Sequence, residues 1–421
     1  MSSRVRRLTA TLGALIAACV TMTSAFAGSA AAGPLNTVPS GITSIPLTKS
    51  VADMRRIAEY WSPARLKQAM DNGPATPGVP ATPGGKSGTT TSPSPTAGNT
   101  TTGNTTTGSA TAGSATAGSA TATAAGEAGG ATAMTEAATT AAGGGKSAAK
   151  PGGAAPLVRP TLPKKRAPGS GGSPLTVGKV FFRIGNKDYW CSASSVAAAN
   201  HNLVATAGHC AYDAKTGSQA EYWIFIPGYD KGNTPYGIYV GHSLNLHEDF
   251  VGRGDYDYDY AFVTVHDGFR WKANKTAGTY EMEGVGSLED NVGGQGLATN
   301  RGTGLFTLAF GYPAAPHPDG SRPYDGQRLK SCDGRTEKVR APARLVEQGI
   351  ALTCGFTNGA SGGPWLISYD NRTALGYLNG VNSFAWDTDT DRRYDRISSP
   401  YFIASTYVAY HWAATQQAPR T

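Results

Sequence analysis

Hydrophobic residues are spread unevenly along the chain, and their spacing divides it into stretches that behave differently. An apolar run, 8–20, stands alone near the start. Residues 51–60 are helix-compatible, and Trp61-Ser62-Pro63 follows, where Ser62 can cap a second short helix with Pro63 at its first position. From 72 to 172 apolar runs disappear: the chain is mostly Gly, Ala, Thr, Ser and Pro, with a five-residue repeat, Gly-Ser-Ala-Thr-Ala, near 108–122. Such a stretch buries too little apolar surface to offset its ordering entropy, which predicts a flexible tether.

After Pro174 the pattern changes to short runs rich in Val, Ile, Phe, Tyr and Trp, separated by Gly, Asn, Asp and Pro. That rhythm predicts an all-β sandwich or barrel. Strands are expected at 179–184, 189–197, 203–206, 221–226, 237–242 and 261–265. A second set is expected at 305–311, 329–332, 350–354, 364–368, 375–381 and 401–403. A polar, Gly-rich connection, 272–304, separates the sets, and 406–416 reads as a closing helix. Two such groups predict two small barrels with one crevice between them.

The leading segment changes the picture of where the protein works. Arg4, Arg6 and Arg7 precede the apolar run, and Ala25-Phe26-Ala27 follows it, so 1–27 reads as a secretory signal peptide. The run is too short for a membrane span, which needs about 20 residues, and no other comparable run exists. The expected product is secreted and extracellular, without a membrane span. Ile16-Ala17-Ala18-Cys19 is a competing signal, since it resembles a bacterial lipoprotein cleavage box. The remaining divisions are a pro-segment at 28–71, a linker at 72–173 and a globular domain at 174–421. The basic cluster Lys164-Lys165-Arg166 is a candidate processing site, or simply a solvated charge run.

Charge matters only once it is divided at Pro174. Residues 1–174 hold 15 basic and 5 acidic side chains and the rest holds 22 and 24, so the net charge of +8 is a sum of +10 and −2. The globular part is nearly neutral, and the basic excess makes no case for a nucleic-acid groove. Cys19 leaves with the signal, so Cys191, Cys210, Cys332 and Cys354 remain, an even number suited to an oxidising compartment. Four cysteines allow three pairings. The local pairs, Cys191 with Cys210 and Cys332 with Cys354, are preferred, each closing a loop valued at roughly 3 kcal/mol by the chain-entropy argument.

Candidate chemistry lies in three strings. Acyl transfer by serine needs a hydroxyl, an imidazole to take its proton and a carboxylate to hold that imidazole in one tautomer. In Thr206-Ala207-Gly208-His209-Cys210 an apolar strand ends in small residues that let an imidazole project into a cleft. In Asn358-Gly359-Ala360-Ser361-Gly362-Gly363-Pro364 glycines permit a tight turn, whose N–H groups at Gly359 and Ser361 can face a developing oxyanion. Each string alone has a plainer reading, a structural histidine or an ordinary loop.

Together the two strings closely resemble the chymotrypsin-like serine proteases, over 174 to about 411. The resemblance implies two six-stranded antiparallel β-barrels with the active site between them, and a His209, Asp259 and Ser361 triad working on protein or peptide substrates without a cofactor or metal. It assigns the carboxylate to Asp259, which precedes Tyr260-Ala261-Phe262-Val263-Thr264-Val265. Asp255 and Asp257 are rivals, since alternate residues of an extended chain share a face; otherwise they read as a solvated turn. Gly380-Val381-Asn382-Ser383-Phe384-Ala385 resembles the family strand bordering the specificity pocket. By that match Ser383 would bond the triad carboxylate, and the backbone of Ser383, Phe384 and Ala385 would pair with substrate. Gly355, six residues before Ser361, would lie at the pocket base.

The chain departs from the family in places. Trypsin-like enzymes carry Asp before the nucleophile, to pair with a newly cut N-terminus, and this chain has Ala360. Gly355 replaces the acid that selects Lys or Arg, and Asn382 stands where glutamyl endopeptidases have His. The remaining histidines, His201, His242, His247, His266, His317 and His411, follow no motif. An α/β-hydrolase elbow also fits Gly359-Ala360-Ser361-Gly362-Gly363, but Pro364 and the β-like Trp365-Leu366-Ile367 oppose the helix that must follow. A protease-like binding module without activity is the non-enzymatic alternative. A monomer is expected.

Overall fold

The computed structural model describes residues 37–74, 156–164, 173–274 and 278–419. The expected signal peptide, Cys19 and its alternative cleavage box, most of the 72–173 linker, and Lys165 and Arg166 lie outside the described residues.

The first described segment is a strand, β1 (Ile42–Pro46), and two helices, α1 (Val51–Tyr60) and α2 (Pro63–Asn72). Ser50 accepts the Asp53 N–H and Ser62 accepts the Arg65 N–H, so each helix starts on a serine cap, and Pro63 opens α2 where its missing N–H costs nothing.

The first barrel follows: β2 (Val177–Ile184), β3 (Lys187–Val196), β4 (Leu203–Thr206), a small hairpin of β5 (Tyr212–Asp213) and β6 (Ser218–Gln219), then β7 (Glu221–Pro227), β8 (Tyr239–His247) and β9 (Ala261–Val265). Six of these pair antiparallel in the order β8-β7-β2-β3-β4-β9, and β8 meets β9 to close the ring. Strand β7 pairs with β8 only at Val240 and Tyr239, and β1 then takes up the edge of β8 from Ser243 to His247. The N-terminal strand thus extends the barrel wall where β7 has left it. Strand β2 is buried through most of its length because α1 and α2 cover its outer side: Trp61 is fully buried with its ring 5.8 Å from Phe181. Beyond β8 comes α3 (Glu248–Arg253), capped by the left-handed Gly254.

The connection expected to be irregular contains a ribbon, β10 (Gly268–Asn274) with β11 (Thr279–Gly286), and a short helix, α4 (Leu288–Val292). Its alternating polar residues, Thr279, Glu281 and Glu283 among them, hid it from a search for apolar runs. Residues 156–164 run beside this connection. Val158 pairs with Leu297 and Thr161 with Gly294.

The second half holds β12 (Gly296–Leu297), β13 (Phe306–Gly311), β14 (Lys330–Arg335), β15 (Glu337–Ala341), β16 (Val346–Thr353), β17 (Pro364–Asp370), β18 (Leu375–Val381), β19 (Phe384–Trp386) and β20 (Arg396–Pro400), then α5 (Ala404–Thr415). Its strands form two sheets, β12-β18-β17-β13-β14 and β15-β16-β20-β19. The Cys332–Cys354 disulfide joins them at one corner, and at another Ser399 Oγ on β20 accepts the Val381 N–H of β18. The architecture is therefore all-β, with a closed six-stranded antiparallel barrel, a second half of two sheets that are antiparallel except for the β12–β18 pair, and a C-terminal helix. One expected strand is displaced: residues 401–403 lie outside the sheet, and Arg396–Pro400 takes the place. Its buried residues include Ser398 and Ser399, small polar groups that an apolar pattern passes over. Helix α5 packs on the first barrel, where Tyr410 donates to the Ala197 carbonyl at 2.6 Å and Thr264 to that of Ala413 at 3.0 Å.

Candidate active site

Strand pairing brings the first two candidate groups together. Thr206, the last residue of β4, lies opposite Ala261, the first of β9. His209 follows β4 by three positions and Asp259 precedes β9 by two, so both emerge at the same end of the barrel. His209 sits in a single 3-10 turn, Gly208–Cys210, pinned by the Cys191–Cys210 disulfide to β3. Gly208 is needed there: a Cβ would stand 2.8 Å from the Phe250 ring.

Asp259 is fully buried and accepts from three donors. The His209 backbone N–H donates to Oδ1 at 2.8 Å, the His209 Nδ1 lies 2.9 Å from Oδ2, and Ser383 Oγ donates to Oδ2 at 2.6 Å. An aspartate so engaged fixes the imidazole with Nδ1–H toward the carboxylate and leaves Nε2 as the lone-pair nitrogen. Nε2 is buried and has no hydrogen-bond partner among the described residues.

Ser361 lies on the turn between β16 and β17, close against the His209 strand. A Cβ on Gly362, at φ +79°, would fall 2.1 Å from Thr206 Oγ1 and 2.8 Å from the Ala207 nitrogen, so only glycine permits the approach. Strand β3 supports this turn from below: the Ser192 N–H donates to the Ser361 carbonyl at 2.8 Å, and Ser192 Oγ donates to the Gly359 carbonyl at 2.8 Å. Gly359 adopts φ +107°. Among the described residues no acceptor takes the N–H of Gly359 or of Ser361.

The other candidates occupy a wall beside this turn. Ser383 donates its backbone N–H to Ser398, and Phe384 and Ala385 lie on β19, an edge strand paired only with β20. The opposite edge of β19 is thus open to an extended chain. At Gly355 the nearest atom to an added Cβ would be the Tyr394 carbonyl at 3.3 Å. Asn382 is buried and turned inward: its Nδ2 donates to the carbonyls of Phe310 and Ala360, and its Oδ1 accepts from Trp365. It braces the nucleophile turn rather than lining a pocket.

Asp257 differs from the solvated turn expected of it. Its Oδ1 accepts the backbone N–H groups of Glu347 and Gln348, tying the loop before Asp259 to β16, and burial raises its carboxyl above the ordinary value. Asp255 caps the Asp257 N–H. Cys191, His209 and Cys210 converge closely, but both sulfurs are consumed in the disulfide and offer no thiolate. Ser192 and Asn382 were not singled out as site supports, because a lone buried polar residue within a strand has no sequence signature.

No family model matches the chain, and no curated protein matches it. Solved structures do. A thermostable serine protease, AL20, from an extremophilic microorganism is 31% identical over 58% of this chain and 99% of its own, with a TM-score of 0.48. The protease Anisep from Arthrobacter nicotinovorans is 30% identical over 61% of this chain and all of its own, with a TM-score of 0.47.

Proposed function

The chain belongs to the chymotrypsin-like serine proteases, and from that premise we propose that it is a secreted serine endopeptidase cutting peptide bonds through an acyl-enzyme intermediate. The observation that carries this reading is the buried Asp259, with three donors upon it, orienting a His209 whose Nε2 has no partner among the described residues, with the Ser361–Gly362 turn packed against Thr206 and Ala207.

Ser361 Oγ attacks the scissile carbonyl carbon while His209 Nε2 takes its proton. Asp259 stabilises the imidazolium without itself becoming protonated. The free N–H groups of Gly359 and Ser361 bind the oxyanion, and loss of one such donor costs roughly 100- to 1000-fold in turnover. His209 then gives its proton to the leaving amine, the C–N bond breaks, and water activated by the same nitrogen releases the acyl group. The open edge of β19 supports pairing with an extended substrate through Ser383, Phe384 and Ala385.

Ala360 before the nucleophile argues against activation by an inserted N-terminus. Gly355 and the inward-turned Asn382 put no charge at the pocket base, which favours uncharged residues before the cut. We read 1–27 as the export signal, 28–71 and 72–173 as a leader and linker, and the enzyme as a monomer. Two disulfides suit an oxidising compartment, and no helix among the described residues is long and apolar enough to cross a membrane.

The test is peptide-library cleavage read by mass spectrometry, with the secreted protein beside its Ser361→Ala variant near neutral pH. Cuts by the first alone are expected. No cuts by either folded protein would overturn the reading.

A further inference from the structure

A buried lysine on β2 stands behind the nucleophile turn and has no part in the reaction just described. Lys179 is fully buried. Its Nζ lies 3.4 Å from the centre of the Trp190 ring and 4.6 Å from that of Tyr229, with Tyr312 and Phe181 just beyond. Among the described residues no carboxylate pairs with it. Burial pushes the ammonium well below its ordinary value, opposed by the more distant Asp325, while the surrounding ring faces favour the charged form. The cage is closed by Met70 of α2, whose Sδ accepts from Nζ at 3.0 Å.

The cage reaches the oxyanion turn through Trp190. A Cβ on Gly359 would lie 2.7 Å from Trp190 Cη2 and 2.5 Å from the Tyr312 carbonyl, so the indole edge rests directly against the glycine. Ser192, two residues along the same face of β3, holds the Gly359 carbonyl. Lys179 pairs with Ser192 and Phe181 with Trp190 across β2 and β3, which places the lysine diagonally over the indole. Removing the cap admits water to Nζ, draws the amine toward solvent and frees the indole that limits Gly359.

Resting on the protease reading, we propose that Lys179 and Trp190 are positioning residues for the Gly359 N–H, and that Met70 of the N-terminal segment completes their cage. Residues 37–74 thereby act as a permanent part of the enzyme rather than as a plug to be discarded. The cage touches no substrate, so its effect falls on stabilisation of the tetrahedral state and not on ground-state binding.

The test uses the full chain and its Met70→Ala and Lys179→Met variants, the second replacing the amine by a side chain of similar length. Three quantities are read: kcat and KM on one peptide substrate, the Tm, and inhibition by a peptide boronic acid, whose tetrahedral adduct places an oxygen where the oxyanion forms. The expected result is a kcat about 10- to 100-fold lower with KM within about twofold, and boronate affinity falling by the same factor, as for a misplaced oxyanion donor. Loss of the same size in both variants despite an unchanged or higher Tm marks positioning rather than unfolding. Unchanged kcat and boronate affinity in both, or losses that simply follow the fall in Tm, overturn the proposal and leave the protease reading intact. A wild-type chain that cuts nothing removes both.

Discussion

The two halves of the protein meet the same architectural demand in different ways. In the first, six strands close by backbone pairing, and a further strand and two helices are laid on the outside, so that large rings such as Trp61, Phe181, Trp223 and Phe225 are wholly enclosed. In the second, two sheets are joined by a disulfide and by the Ser399 hydroxyl; Trp365, Ile350 and Phe356 form a small apolar cluster of their own, while Leu366, Leu378 and Val381 share the large cluster of the first half. The proposed acid–base partners, His209 and Asp259, belong to the first half, held by strand register, by the Cys191–Cys210 disulfide and by the Ser383 hydroxyl of the second half. The turn of Ser361, the proposed nucleophile, belongs to the second, and its geometry depends on bonds reaching across from Ser192 of β3.

Asp259→Asn should produce the largest break in this comparison. An amide can hold His209 only in the wrong tautomer, so kcat is expected to fall roughly 10,000-fold while thermal unfolding of the first barrel hardly moves; steady-state kinetics and calorimetry on one sample check both. Next comes Trp61→Ala, which empties a fully enclosed site against Phe181 and should destabilise docking of 37–74 by about 3–5 kcal/mol. Hydrogen exchange should then accelerate in 37–74 and along the outer edge of β8, and not in the second half.

Replacing Cys332 and Cys354 by alanine should cost about 3 kcal/mol by loop entropy, and the loss should be concentrated in β14 and β16, the strands the bridge clasps. If exchange instead rises evenly across both halves, the contrast between a closed ring and two clasped sheets is wrong. The smallest effect expected is on acid stability. Asp257 has a carboxyl raised by burial, so the native state holds its proton more tightly than the unfolded chain does. Its contribution to stability is complete below pH 3.8 and is lost as pH rises through the raised value. Asp257→Asn should flatten that part of the stability profile, measured by urea titration at several pH values, with the Glu347 and Gln348 N–H groups still accepted by the amide oxygen.

What the sequence made legible follows from the kind of signal each feature carries. Strands such as Leu203–Thr206, Ala261–Val265 and Leu375–Val381 were plain because apolar side chains cluster in them and turn residues bound them. The serine caps of α1 and α2 were readable because Ser62-Pro63 is a local instruction. The ribbon at β10 and β11 was not, since its apolar face, with Phe269, Trp271, Tyr280 and Met282, alternates with a charged face that breaks every apolar run. Nor was β20, where packing selects buried serines for size. The strings around His209 and Ser361 announced themselves, whereas their supports, Ser192, Asn382 and the Lys179 cage, depend on contacts between residues more than one hundred positions apart in several cases. Such partners leave no trace in local spacing.

Both ends of the repeat-rich stretch are fastened. Helix α2 is held at one end by Met70 and by the Arg65–Asp188 ion pair at 3.0 Å, and at the other Val158 and Thr161 are stitched to Leu297 and Gly294, with Lys164 bonded to Asp290 at 2.8 Å. A single cut anywhere in 75–155 therefore yields two polypeptides on a denaturing gel that still travel as one particle through a sizing column. A chain cut there would stay one particle held by contacts alone, much as a clasp stays shut after its safety chain is cut.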